Sequence, residues 1–137
     1  SAVAMWKDSK HKDAAWELYI ELLTRITTQS LEYGDEKSAL DSIYSLFPLT
    51  REIIKRHGRD CDEFTKIAIV ILNQKIRPFT EKWHSESLNK AFEDEKKCKK
   101  FRKELKELQH TLRIFTKMLG DMSGVEDDLT EINKGEI

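Results

Sequence analysis

Glycine and proline are scarce in this 137-residue chain, at five and two residues. That scarcity excludes the turn-rich all-β architectures, which need special backbone conformations every few residues. The only two cysteines, Cys61 and Cys98, fall in separate segments, so no disulfide framework is expected. The start also lacks the basic, apolar and small-residue pattern of a secretory leader, and together these features read as a reduced, cytoplasmic chain. Charge of one sign is missing too: 24 basic residues balance 25 acidic ones for a net −1, so nothing overall draws the chain to nucleic acid or a membrane surface. The longest apolar run, Ile67 to Leu72, is far below the roughly 18 residues a bilayer span needs, and no membrane contact is expected. A glycine-rich phosphate loop, a nucleophile elbow and a paired-carboxylate signature are all lacking, so the sequence calls for no cofactor.

What the chain has instead is charge, 36% of residues, with many strong helix formers among the rest. The expectation is an all-α domain, an up-and-down four-helix bundle with proline-kinked second and third helices and a long fourth helix. Residues 1–5, ahead of and including Met5, read as an expression remnant, residues 6–120 as one helical-bundle domain, and the acidic residues 121–137 as a flexible tail.

The organising segment is Phe64 to His84. Phe64, Ala68, Ile71, Leu72, Ile76, Phe79 and Trp83 repeat with the spacing of one helix face, while Asn73, Arg77, Thr80 and His84 form a polar stripe beside it. Asp60, three residues before Glu63, offers a start resembling a capping box. Ahead of it, Ala15, Trp16, Tyr19, Ile20, Leu23 and Ile26 mark a first helix from Asp8 or Ser9 to about Gln29. A turn over Ser30 to Asp35 follows. A second helix then runs to His57, with Pro48 bending it near Tyr44 or dividing it in two and Gly58 closing it in a left-handed cap. Pro78 should kink the central helix in the same way. After Ser85 and Ser87 the fourth helix opens at Leu88 and carries the seam Phe101, Leu105, Leu108, Leu112, Phe115 and Leu119 until Gly120 ends it. At about 45 Å such a helix would overhang its partners, which invites a dimer or higher homo-oligomer.

Two histidines follow an arginine at a spacing used by HEPN-type ribonucleases: Arg51 with His57, and Arg77 with His84. Such a pair could move a proton and steady charge on a scissile phosphate. The spacing is permissive, however, and Glu52 or Pro78 follows the arginine where those enzymes usually carry a polar residue. His57 and Cys61 are a lone i,i+4 pair, short of the three or four ligands zinc takes, so no metal site is expected. The preferred reading is a non-catalytic module. Arg25, Arg51, Arg77, Lys82, Trp83 and His84 are its candidate ligand-binding residues, since guanidinium forks match phosphate oxygens and aromatic rings stack on bases. The ligand would be an anion such as a nucleotide, a cyclic oligonucleotide or RNA, or else a partner protein acting as effector. A plain dimerisation bundle is the third reading.

Several short elements carry a resemblance: WELY at Trp16 to Tyr19, LLTRI at Leu22 to Ile26, YSLF at Tyr44 to Phe47, TREI at Thr50 to Ile53, LN at Leu72 and Asn73, RPF at Arg77 to Phe79 and KWH at Lys82 to His84. Together they resemble an uncharacterised bacterial all-helical family, over nearly the whole chain. The resemblance implies that Arg25, Arg51, Arg77, Lys82, Trp83 and His84 belong to a family pattern, and it suggests a place in bacterial antiphage systems. The chain departs from that pattern at Ser85, where members often have proline, and at His57, where they often have tyrosine.

Overall fold

The computed structural model describes residues 2–25, 35–125 and 129, with side chains from residue 9 onward. Every described element is helical, and no strand occurs among the described residues. In chain order the helices are α1 (Ala2–Arg25), α2 (Glu36–Tyr44), α3 (Leu46–His57), α4 (Asp62–Val70), α5 (Arg77–Leu88) and α6 (Glu95–Ser123). Short 3-10 turns, Gly58–Asp60 and Ala91–Glu93, follow α3 and precede α6. Among the described residues no helix is long and apolar enough to cross a membrane.

The centre is where the apolar spacing placed it. Phe64, Ala68, Ile71, Leu72, Ile76, Phe79 and Trp83 are all buried. Around Phe101 of α6 gather Trp83 at 5.1 Å and 88°, Phe92 at 5.0 Å and Phe79 at 5.4 Å, edge-on or tilted arrangements that suit ring quadrupoles. Pro78 stands in the first turn of α5 and has no amide hydrogen, and its ring would crowd the carbonyl of Gln74. The chain answers with a π-helical turn over Ile71–Ile76 that joins α4 directly to α5. The second helix of the sequence reading is two helices, divided at Ser45, with Pro48 in the first turn of α3, where a missing amide hydrogen costs little.

Helix ends depart from expectation in five places, the first being α1, which starts at Ala2 and not at Asp8 or Ser9. Gly58 is not a left-handed cap, since its φ is −66° and the chain continues into the 3-10 turn. Its lack of a side chain serves close approach instead: a Cβ there would lie 2.7 Å from Thr65 Oγ1 and 2.9 Å from Ile54 Cγ2. Asp60 does not cap α4, which begins after Cys61, because its carboxylate is held by Lys10 Nζ at 2.8 Å. The last helix opens at Glu95 rather than Leu88, with Asp94 accepting from the Lys96 amide at 3.0 Å after a left-handed turn at Lys90. Gly120 does not end that helix. It admits the Tyr19 ring, which a Cβ would meet at 3.0 Å, and Gly124 at φ +80° makes the stop, with Val125 N–H bonded to the Gly120 carbonyl at 3.0 Å.

Tyr19 against Gly120 and Lys12 against Gly124 show α1 running antiparallel to α6, its principal neighbour. The α6 seam faces inward: Phe101, Leu105, Leu108, Leu112 and Leu119 are buried and Phe115 is half-buried. It is therefore occupied within the chain's own core. Residues set aside as a remnant continue α1, which starts at Ala2. Asp121 to Ser123 belong to α6, and Val125 and Leu129 lie half-buried against the core. The expected turn at Ser30 to Gly34 and the rest of the acidic tail lie outside the described residues.

Candidate functional site

The polar stripe of the central segment meets the junction between α2 and α3. Arg77 lies with its guanidinium 4.9 Å from the centre of the Phe47 ring, and Nε and Nη2 both donate to Asn73 Oδ1, at 3.2 and 3.1 Å. Nearly one turn onward, the Tyr44 hydroxyl donates to the Thr80 carbonyl at 3.1 Å, and the ring meets exposed His84, a further turn along, edge-on at 6.0 Å. Tyr44 and Phe47 are themselves 6.2 Å apart. Arg51 is exposed one turn beyond Phe47 on α3. Thr80, read as part of the polar stripe, is buried and turns its hydroxyl to the Arg77 carbonyl at 3.0 Å.

Arg25 joins the edge of this face, donating to Ser45 Oγ at 3.1 Å, but its charge is matched by Glu21 at 2.6 Å. The other predicted residues lie elsewhere. Lys82 is on the opposite side of α5, with Nζ 2.8 Å from both Glu104 oxygens. Trp83 is 1% exposed, stacked on Phe92 at 6.2 Å and 15°, and cannot serve as a base platform. Its indole N–H has no hydrogen-bond partner among the described residues. The six candidates thus divide into Arg51, Arg77 and His84 on one open face, Arg25 at its border, and Lys82 and Trp83 away from it.

The same geometry weighs the enzymatic alternative. His57 Nε2 is 2.5 Å from Glu17 Oε2, and Arg56 Nη2 donates to the other oxygen at 2.8 Å, so His57 is engaged with a carboxylate from α1 rather than with Arg51. Arg77 rests on Phe47 and Asn73 while His84 rests on Tyr44. Among the described residues no group of three or more His, Cys, Asp or Glu is placed to hold a metal. Both thiols are buried; burial pushes the Cys61 pKa up, helped by Asp60, and burial with nearby Glu36 does the same to Cys98. Neither is an activated nucleophile.

Two features escaped the sequence reading. A groove of about 350 Å³ runs between α6 and the π turn, lined by Gln74, Lys75, Pro78, Lys82, Glu104 and Glu107 among others, with charges of both signs. A buried ion pair, Glu36 with Arg102, fastens the start of α2 to α6. No protein-family model, curated protein or solved structure matches the chain, so the family resemblance rests on the short elements that suggested it.

Proposed function

We propose that the chain is a non-catalytic helical binding module, an up-and-down bundle bent at its prolines, that recognises an anionic ligand through the face formed by Arg51, Arg77, Tyr44 and His84. The observation that carries this reading is the state of Arg77. Arg77 is exposed, its guanidinium lies against the Phe47 ring and is hydrogen-bonded to Asn73, and it has no carboxylate partner among the described residues. A planar fork fixed in this way loses little side-chain entropy on gripping phosphate oxygens, and the Tyr44 and His84 rings beside it can receive a base. Glu81, exposed one turn from Arg77, restrains the face without closing it.

Nucleotides, cyclic oligonucleotides and short RNA are the ligand class this chemistry fits, and a role in bacterial antiphage signalling, through an effector partner or a homo-oligomer, extends the same proposal. The ribonuclease alternative needs Arg and His on one phosphate. Titration calorimetry of a nucleotide panel with wild type, Arg77→Ala and Glu81→Gln tests the reading. Binding lost in the first variant and tightened in the second supports it, whereas binding indifferent to both moves the ligand to another surface.

A further inference from the structure

The outer side of α6 carries a line of cations that the proposed face does not use. Lys96, Lys99, Lys103, Lys106, Arg113 and Lys117, with His110 between, follow steps of three and four without a break, and every one is exposed. From Lys96 to Lys117 the line is about 32 Å long at 1.5 Å per residue. Glu95 and Asp121 stand at its ends, and exposed Glu107, one turn from Lys103 and His110, marks its border with the groove, where Glu104 already holds Lys82. The five lysines make no ion pair among the described residues, unlike Lys97, which is clasped by Glu86 at 2.7 Å. In a chain of net charge −1 this is a strong local concentration of one sign.

We infer that this stripe is a binding surface for the phosphate backbone of nucleic acid, separate from the Arg77 face and independent of it. A straight row of evenly spaced cations complements a linear polyanion, and its length matches about nine base pairs at 3.4 Å each. A membrane is the poorer fit, because an amphipathic helix holds a bilayer with its apolar face, and the apolar face of α6 is buried in the core. The stripe offers no aromatic platform, so it reads charge rather than sequence.

The test is fluorescence anisotropy with labelled single-stranded RNA, single-stranded DNA and duplex DNA of about 20 nucleotides, against wild type, the triple variant Lys99→Gln, Lys103→Gln, Lys106→Gln, and Arg77→Ala. With six cations engaged on duplex, log K should fall with log salt at a slope of about −5, a loss of about a thousandfold between 50 and 200 mM. The triple variant should roughly halve that slope, with an unchanged circular dichroism spectrum, while Arg77→Ala retains it. Absence of binding at the lower salt, or binding untouched by the triple variant, overturns the inference. So does loss in Arg77→Ala alone, which would assign nucleic acid to the proposed face, or tighter binding to phosphatidylserine vesicles or polyglutamate than to nucleic acid.

Discussion

Replacing Arg102 by methionine probes how α2 is held to α6. Glu36 is 1% exposed at the first position of α2, and the Arg102 guanidinium is its ion-pair partner from across the core boundary. Methionine keeps most of the aliphatic volume and withdraws the charge, leaving a desolvated carboxylate beside the Cys98 thiol. Removing one partner of a buried pair costs about 3–5 kcal/mol, because the remaining charge has lost its solvent and its counter-charge together. For a chain of this length, where 1 kcal/mol is about 3 °C, the melting temperature should fall by about 9–15 °C. The double variant Glu36→Gln, Arg102→Met removes both charges and should recover at least half of that loss, since the penalty belongs to a buried carboxylate that has lost the Arg102 counter-charge and not to the missing attraction. Thermal denaturation followed at 222 nm reads both. A single variant within 3 °C of wild type, or a double variant no better than the single, refutes the claim that Glu36 is buried and dependent on Arg102.

Other consequences are as direct. Gly58→Ala should destabilise by about 1–3 kcal/mol in urea titrations, because its Cβ would collide with Thr65 Oγ1 and Ile54 Cγ2. Trp83→Ala should cost about 3–5 kcal/mol, whereas Trp83→Phe should cost far less, since it keeps the stack on Phe92 and removes an indole N–H with no partner among the described residues. Leu112→Asp should unfold the chain, while Ile114→Lys, at an exposed position, should leave the circular dichroism spectrum intact. The Glu86 carboxylate is held below its usual range by its hydrogen bond from Lys97, so what this clasp contributes is present at neutral pH and disappears as the pH falls through the acid range; Lys97→Ala should flatten that limb of the stability profile.

Regular periodicity made the core legible. The residues of the Phe64 to Trp83 face and the α6 seam are buried, as the helical spacing of their apolar side chains led one to expect. Helix ends were less legible, since they depend on contacts between distant segments. Gly120 looked like a stop signal, yet only Tyr19 of α1 explains a glycine there; Asp60 looked like a cap, yet Lys10 holds it. The π turn follows from Pro78 only once the need to keep Ile71, Leu72 and Ile76 buried is known. The candidate site residues show the same limit. Arg77 and His84 share a stripe that spacing revealed, but the rings beside them, Phe47 and Tyr44, come from α3 and α2. Lys82 and Trp83 adjoin His84 in sequence and lie on other faces of α5, which one-dimensional proximity cannot separate.

The central claim is that Arg77 presents a preorganised fork to an anion. Differential scanning fluorimetry of wild type and Arg77→Ala against nucleotides, cyclic oligonucleotides, short RNA and inorganic phosphate tests it most directly. At a ligand concentration one hundred times the dissociation constant, stabilisation of about 2.7 kcal/mol should raise the melting temperature by about 8 °C. The account predicts such a shift for at least one phosphate-bearing ligand, weakened by salt and absent in Arg77→Ala. No shift with any of them, or an equal shift in the variant, contradicts it.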